Sequence, residues 1–221
     1  MVEQFGELFD PTAEFCQWER QRPHRVQPAA IVFLTMRLKD SIPADVLRRW
    51  HRERIEFLTR CGIDCDGDWK LGRSLLSRKQ RNAFDKRFQR VREMTLDQCF
   101  GHCELRQPEA AKIVSESLQK FHRIRYFLGD LVVMPNHVHC LVAFADETTA
   151  RRQPGAWMRF TARKINQKFS RSGVLWFPEP FDHLVRNEDQ LCYLREYIRD
   201  NPTKAKLAEN EFLYRKSKGH F

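Results

Sequence analysis

The chain has 221 residues, with 39 lysines and arginines against 29 acidic residues, which gives a formal net charge of +10. Hydrophobic residues make up 42% of the sequence, enough to bury a sizeable core. No apolar run reaches the roughly 18–20 residues of a membrane span, and the first thirty residues are too polar for a signal peptide. We therefore expect neither secretion nor membrane insertion, and the positive charge points first to nucleic acid.

The seven cysteines are odd in number and, without an export signal, are typical of reduced thiols. Two pairs are four residues apart, Cys61 with Cys65 and Cys99 with Cys103, and the second pair includes the neighbouring His102. Zinc sites just permit this spacing. Small buried thiols are commoner, and we favour them over zinc.

The first 121 residues predict an irregular leader, one strand and a helical insert. Residues 1–29 contain several prolines and little periodicity, so we expect an irregular leader partly ordered by Phe5, Phe15 and Trp18. Residues 30–36 are an apolar run typical of a buried strand. Residues 41–121 predict helices that open with Ser41 as the N-cap and include a strongly basic run over 70–92.

A clear strand signal follows. Residues 125–128 and 131–134 lead into a Pro-Asn turn, and residues 137–144 form the next predicted strand. Because successive side chains of a strand alternate between faces, four apolar side chains share one face and His137 and His139 share the other. The apolar set is Val138, Cys140, Val142 and Phe144. We expect the histidines at a rim of the sheet, where they remain accessible.

The last third predicts two helices around a short strand. Residues 156–169 predict a helix that begins after Pro154-Gly155, and residues 181–186 predict a strand. A helix over 188–200 is expected to end at the Asn201-Pro202 step, because the residue before proline disfavours helical geometry. Between Arg151 and Ser172 there are seven basic residues and no acid, a composition suited to a phosphate backbone.

This order of elements predicts an α+β fold, a ferredoxin-like β-α-β-β-α-β sheet with a helical insertion and a C-terminal helix. The strands that begin at Ala30 and His137 should lie side by side in the sheet centre, with the last helix packed back on the sheet. We expect one domain over 1–221, with a core over 122–207 and a tail over 208–221.

Two histidines at i and i+2 on one strand can converge on a divalent ion, although such a pair is a weak signal by itself. Taken alone, Tyr197 is typical of a half-buried packing residue and Asn201 of a helix end. Tyr193, one turn before Tyr197, is expected to pack in the core. His183 next to Asp182 is expected to be structural, since neighbouring strand residues face opposite ways.

Two blocks of sequence resemble a known family. Met134-Pro135-Asn136-His137-Val138-His139 and Tyr197-Ile198-Arg199-Asp200-Asn201-Pro202-Thr203-Lys204-Ala205 resemble the signatures of single-tyrosine transposases, most closely the REP-associated tyrosine transposases. The segment between them, with Trp176, Asp182 and Arg186, also fits. Thr203 stands where valine is common in the family, and the basic insert has no counterpart that we can place.

The resemblance implies that Tyr197 is a nucleophile that attacks single-stranded DNA, leaving a 5′-phosphotyrosine and a free 3′-OH. It also implies that His137, His139 and Asn201 bind Mg²⁺ or Mn²⁺. Tyr197 and Asn201, four residues apart, share one helix face. The expected substrate is DNA around a hairpin or palindromic repeat. The expected protein is a monomer or homodimer of the bacterial cytoplasm, associated with the nucleoid and not with a membrane.

Other functions stay open at this point. A domesticated protein on the same fold could bind DNA without cutting it, a metal-dependent hydrolase could use water in place of Tyr197, and an RNA-binding ferredoxin-like domain would explain the charge. The candidate DNA contacts are Arg151, Arg152, Arg159, Arg163, Lys164, Lys168 and Arg186.

Overall fold

The computed structural model describes residues 6–19 and 23–217. The predicted ordering by Phe5 and the end of the predicted tail, residues 218–221, lie outside these ranges. The chain divides into two compact units, one drawn from Met1–Lys39 and His102–Phe221 and the other from Asp40–Gly101. The single-domain organisation stays a prediction.

Among the described residues, the first unit contains a five-stranded sheet, a separate hairpin and three α-helices, and the second unit contains three α-helices. In chain order the elements are β1 (Cys16–Glu19), β2 (Pro23–Val26), β3 (Ile31–Arg37), α1 (Ala44–Arg60), α2 (Trp69–Leu75), α3 (Arg78–Leu96), α4 (Pro108–Gln119), β4 (Tyr126–Val133), β5 (His137–Phe144), α5 (Glu147–Lys168), β6 (Phe181–Leu184), α6 (Glu188–Lys204) and β7 (Leu213–Arg215). The elements α1, α2 and α3 belong to the second unit.

The sheet is antiparallel throughout, in the order β6-β3-β5-β4-β7. Its first four members have the strand order of a ferredoxin-like sheet, and β7 extends it at the β4 edge. The predicted α+β fold and the central pairing of β3 with β5 are confirmed. In that pairing Thr35 lies opposite His139 and Arg37 opposite His137.

Each face of the sheet is covered by a different set of helices. The face that we call the apolar face carries the β5 side chains Val138, Cys140, Val142 and Phe144 and packs on α4 and α5. The face that we call the site face carries His137, His139 and Leu141, and α6 packs on it through Leu194 and Ile198. Burial raises the pKa of Cys140 to about 12, so this thiol behaves as a small hydrophobic side chain.

The leader was predicted wrongly, because β1 and β2 form an antiparallel hairpin in which Cys16 is opposite Val26. Its strands have four residues each, too short to give a clear alternation signal. The two predicted segments 125–128 and 131–134 merge into one strand, β4, which spans Tyr126–Val133 and has a register shift between Leu128 and Leu131. The helix α4, which lies within the range 41–121 predicted as the helical insert, belongs to the unit that contains the sheet.

Two helices run past prolines that were expected to bound them. The helix α5 begins at Glu147, capped by Asp146, whose side chain accepts a hydrogen bond from the Thr149 backbone N–H at 2.7 Å. The helix α6 continues through Pro202 to Lys204. A proline inside a helix removes the hydrogen bond to the carbonyl four residues earlier, and in α6 this loss falls in the last turn.

The second unit holds its three helices together with two apolar clusters. One cluster contains Phe84 and Phe88 of α3 with Leu58 of α1, and the other contains Trp50 and Leu96. The helix α3 begins with a capping box in which Ser77 and Gln80 satisfy each other's backbone N–H groups. The helix α1 begins after Pro43, and its N-cap makes no side-chain hydrogen bond, so the predicted cap by Ser41 is wrong.

Among residues 6–19 and 23–217, no helix is both long enough and apolar enough to span a bilayer.

Candidate functional site

The two histidines of β5 lie under α6, completely buried at 0% exposure. They follow a turn in which the Met134 backbone N–H donates to the His137 carbonyl at 2.8 Å. Their rings are in contact, with centroids 4.5 Å apart. The prediction that they share one strand face is confirmed, while the expected accessible rim is wrong, because α6 covers the start of β5.

Each imidazole is oriented by a neighbouring polar side chain. The Nδ1 atom of His137 lies 2.7 Å from the Asn136 Oδ1, and the Nδ1 atom of His139 lies 2.8 Å from the Thr35 hydroxyl. An amide oxygen only accepts, so Nδ1 of His137 donates and its Nε2 carries the lone pair. Partners of this kind fix the direction of metal-binding histidines, and a partner that only accepts, such as the Asn136 oxygen, also fixes the tautomer.

Sequence reasoning did not assign these roles to Asn136 and Thr35. Asn136 was interpreted only as part of a turn. Thr35 becomes a candidate only when the register of β3 against β5 is known, because it lies directly opposite His139.

The helix α6 delivers Tyr197 and Asn201 to the same place. Asn187 caps the helix by accepting from the Gln190 backbone N–H at 2.8 Å, and two acidic residues occupy the first turn. Tyr197 is 6% exposed and Asn201 is fully buried. The Tyr197 ring meets the His139 ring edge-on, with centroids 5.3 Å apart.

Asn201 interacts with His137. Burial lowers the pKa of His137 to about 3, and an interaction with the Asn201 side chain, which favours the protonated ring, offsets part of this effect. The imidazole is therefore neutral at pH 7, which is the form that binds metal ions. Contacts run without a gap from Asn201 through His137 and His139 to Tyr197, so the structure brings the four predicted residues into one cluster.

Phe33 of β3 packs against two members of this cluster, His139 and Tyr197. Its ring stacks on His139 with a centroid distance of 5.1 Å and a plane angle of 22°. It also meets the edge of Tyr197 at 6.0 Å. The β3 strand therefore contributes to the site through Phe33 and Thr35, two neighbours that the sequence marked only as parts of a buried strand.

Tyr193 does not pack in the core as predicted. It is 58% exposed, and its ring lies nearly parallel to that of Tyr197 at a centroid distance of 6.3 Å. The Lys204 ammonium lies 5.1 Å from the Tyr197 ring centroid, at the end of the same helix. The continuation of α6 past Pro202 keeps Lys204 on this side of the helix.

The neighbouring pair Asp182 and His183 faces opposite ways, as expected. Asp182 contacts His24 of the hairpin, and His183 contacts the Phe33 ring at a centroid distance of 5.4 Å. The His183 Nε2 also lies 3.1 Å from the Gln190 amide nitrogen. These contacts suit the structural role that we predicted for His183.

The donor set of this site is two imidazoles and one carboxamide. Within the described part of the chain, no three His, Cys, Asp or Glu side chains form a group that could hold a metal ion. Asn201 supplies an amide oxygen, a ligand type outside that group, and two histidines with an amide oxygen fit a divalent ion. Cys65 packs with Leu58 in the second unit, which suits the buried-thiol alternative to zinc.

The side chains predicted to contact DNA are all exposed, but some of them form ion pairs with acidic side chains. Arg151 forms an ion pair with Glu147, and the Lys168 Nζ lies 4.0 Å from the Glu109 Oε1. The Nη2 of Arg171, three residues further on, lies 2.5 Å from the Glu104 Oε1. Arg186 is exposed just before α6. Four further predicted contacts on α5 are exposed: Arg152, Arg159, Arg163 and Lys164. A stretch free of acids in sequence is thus partly neutralised in space.

No protein-family model matches this chain, and no curated protein matches it. Among solved structures, the chain is similar to a REP-associated tyrosine transposase bound to a REP hairpin. The identity is 13% and the TM-score 0.41, over 83% of this chain and 73% of the other. Because this likeness is distant, the function of the chain has to be inferred from its own residues.

Proposed function

We propose that this protein cleaves and rejoins single-stranded DNA with Tyr197 as the nucleophile, assisted by a divalent metal ion. The observation that carries the proposal is the buried cluster of Tyr197, His139, His137 and Asn201, in which each member contacts the next. A phenol, two imidazoles and an amide oxygen are the parts that a metal-assisted phosphoryl transfer to tyrosine requires.

Three residues would hold the metal. Nε2 of His137 and Nε2 of His139 would be the coordinating nitrogens, because the Nδ1 atoms are engaged by Asn136 and Thr35. The amide oxygen of Asn201 would be the third ligand. When bound, a Mg²⁺ or Mn²⁺ ion would neutralise charge on the scissile phosphate and polarise its oxygens.

The reaction itself is a transesterification. The Tyr197 oxygen forms a bond to the phosphorus, the bond from phosphorus to the 3′-oxygen breaks, the phenol proton is lost and the 3′-oxygen is protonated. The DNA then carries a 5′-phosphotyrosine and a free 3′-OH. The energy of the phosphodiester is kept in the covalent link, so the 3′-OH of a strand can reverse the step.

The burial of Tyr197 adds a requirement. At 6% exposure its hydroxyl does not meet a DNA phosphate unless the surrounding side chains move. The Tyr197 ring contacts the Phe33 and His139 rings, and the exposed Tyr193 ring lies nearly parallel to it. Cleavage therefore requires a conformational change that exposes Tyr197 while the histidines remain in place.

The proposed substrate is single-stranded DNA around a hairpin or palindromic repeat, supported by the two sequence blocks that resemble REP-associated tyrosine transposases. The exposed basic residues of α5 would follow the phosphates, a sequence-independent contribution to binding. We further propose a monomer or homodimer that acts in the cytoplasm on chromosomal DNA.

The decisive experiment is incubation of the protein with hairpin-bearing single strands and Mn²⁺. We expect a protein–DNA complex that survives denaturation and a free 3′-OH on the released strand. Peptide mapping should place the DNA on Tyr197. Cleavage without a covalent complex would favour a hydrolase that uses water, and an adduct on Tyr193 would overturn the assignment.

The second candidate is a DNA-binding or regulatory protein on the same fold that does not cut. The burial of Tyr197, His137 and His139 favours this alternative, since a closed cluster can serve stability alone. It predicts binding to the same DNA with no covalent complex under any metal condition.

A further inference from the structure

A second concave site lies on the apolar face of the sheet, away from Tyr197. A cavity of about 300 Å³ opens between α5, the β1–β2 hairpin and residues 173–180. We propose that this cavity binds one unpaired nucleobase of a DNA strand, with the attached phosphate at Arg159. The inference rests on the proposed function only in taking DNA as the partner, and it does not require cleavage.

The inner surface of the cavity suits a flat ring. Its apolar and aromatic lining is formed by Val32, Leu34, Phe144, Met158, Trp176 and Phe177. Trp176 is held in place because its Nε1–H donates to the Thr161 hydroxyl at 2.9 Å. The volume lies at the lower end of the range for small-molecule pockets, and aromatic walls are the usual surface on which unpaired bases stack.

One wall of the cavity is polar and buried. His24 lies between two acidic side chains, with its Nε2 2.9 Å from Glu179 and its Nδ1 in contact with Asp182. All three residues line the cavity. A carboxylate accepts up to four hydrogen bonds, so accepting from His24 leaves each acid further acceptor capacity. Ring N–H and exocyclic amino groups of bases can donate hydrogen bonds to these carboxylates.

The mouth of the cavity is basic. Arg159 is exposed at the cavity lining. Arg151 also lines the cavity, with its guanidinium carbon 4.5 Å from the centroid of the Trp18 ring. Arg151 is also paired with Glu147, so Arg159 is the better contact for an incoming phosphate. Trp18 in turn stacks on His24, with ring centroids 5.3 Å apart, which fixes this side of the entrance.

These three surfaces together select the occupant. A hydrocarbon chain would fill the apolar part but would gain nothing from Glu179 and Asp182. A free phosphate would use Arg159 but not the aromatic walls. A nucleobase with its phosphate uses all three. An unpaired base enters a cavity at the lowest cost, because no base pair has to break.

The test measures DNA affinity without cleavage, using the Tyr197→Phe protein in EDTA. A hairpin-bearing single strand is compared with strands in which each unpaired nucleotide in turn is abasic. We expect one abasic position to weaken binding about tenfold, the size of one lost base-stacking interaction. In an added Ala162→Phe variant, which places a ring in the cavity lining, the intact and abasic strands should bind equally.

Two controls keep this test sharp. Ala156→Phe makes the same change on α5 at a position outside the cavity lining, and it should keep the tenfold difference. Arg159→Ala should weaken the intact strand, and Arg163→Ala should weaken intact and abasic strands alike. If Ala162→Phe does not fold, as judged by circular dichroism, the Arg159→Ala comparison and the mononucleotide experiment decide.

The mononucleotide experiment follows the tryptophan fluorescence of the protein, since Trp18 and Trp176 line the cavity. Deoxynucleoside monophosphates should change the signal and deoxyribose 5-phosphate should not. An equal response to an aromatic carboxylate such as indole acetate, or an affinity that no abasic position changes, would overturn the inference. Base-dependent binding without a covalent adduct would refute the proposed cleavage alone, and an adduct without base dependence would refute the cavity alone.

Discussion

The two faces of β5 carry side chains of different kinds, although both faces are buried. On the apolar face, Val138, Cys140 and Val142 are all fully buried and contribute only packing. On the site face, His137 and His139 are equally buried, yet each has a polar partner and each contacts a group from another element. The difference shows that burial alone does not identify core residues.

The physical reason is the alternation of side chains along a strand. One face provides a continuous hydrophobic layer with α4 and α5, so the other face can hold polar groups without loss of the fold. Those polar groups are stable in the interior because Asn136, Thr35 and Asn201 interact with them. Changes on the site face should therefore affect chemistry, and changes on the apolar side should affect stability or binding.

The largest effect is expected for Tyr197→Phe. This change removes only the hydroxyl, so the ring still packs against His139 and Phe33. Covalent adduct and strand cleavage should both vanish, while DNA binding in a filter or gel assay stays unchanged. Tyr193→Phe is the matched control on the same helix and should keep most activity. Normal cleavage by Tyr197→Phe would show that this tyrosine is not the nucleophile.

The next effect concerns the two histidines. Replacing both His137 and His139 with alanine should abolish cleavage and lower DNA affinity no more than a few-fold, because phosphate neutralisation comes from lysines and arginines elsewhere. EDTA should have the same effect on the unaltered protein, and Mn²⁺ should restore its activity. Full cleavage by the double variant would contradict a metal-assisted mechanism.

Thr35→Val tests whether the hydroxyl that meets His139 orients the metal ligand. The shape is kept and the hydrogen bond is lost, so we expect a roughly 10–100-fold weaker response to Mn²⁺ in cleavage assays. Cys140→Ser, at the neighbouring β5 position on the apolar face, is the control and should leave the Mn²⁺ dependence unchanged. Equal Mn²⁺ dependence of Thr35→Val and the unaltered protein would remove Thr35 from the site.

His24, in the hairpin beside the apolar face, should affect the free energy of unfolding and its dependence on pH. Burial disfavours the charged imidazole, but hydrogen bonds and charges of Asp182 and Glu179 outweigh this and raise the pKa of His24 above its ordinary value. The stabilisation is therefore fully present below about pH 6.5 and is lost as the pH rises through the raised folded-state pKa.

We expect His24→Gln to lower the free energy of unfolding by about 3 kcal/mol at pH 6, because it leaves two buried acids without their cation. The loss should shrink at pH 9, measured by urea denaturation. His51→Gln changes an exposed histidine and should stay within about 0.5 kcal/mol at both values of pH. A loss for His24→Gln that grows with pH would contradict a protonated His24.

The smallest effect concerns the salt dependence of DNA binding. Arg163 is exposed on α5, whereas Arg151 is paired with Glu147. Arg163→Ala should reduce the slope of log affinity against log salt by about 0.7 for single strands. Arg151→Ala should change the slope less, since its charge is partly neutralised. Equal changes in both variants would show that the ion pair opens on DNA.

The sequence alone determined the sheet and the relation between its faces. The apolar run of β3 and the alternation in β5 are local patterns, and the order of elements limits how four strands can be arranged. These features therefore could be predicted, and so could the i, i+4 relation that places Tyr197 and Asn201 on one face of α6. The two motif blocks named the residues that the structure brings together.

Some local signals misled because their context outweighed them. Proline usually marks a helix boundary, yet Pro154 lies inside α5 and Pro202 inside the last turn of α6. The helix face that Tyr193 shares with Tyr197 favours core packing for both, but only Tyr197 reaches the sheet. The acid-free basic stretch over residues 151–172 has acidic partners in Glu104 and Glu109, which are distant in sequence.

Only the tertiary structure decided how the site is completed. Thr35 meets His139 because of the register between β3 and β5, and His24 meets Glu179 and Asp182 across more than 150 residues of chain. Contacts of this kind depend on the packing of whole elements, and no periodicity in the sequence indicates them. The local sequence identifies the residues that can carry chemistry. Their burial, their partners and the cavity on the opposite face exist only after the sheet has formed.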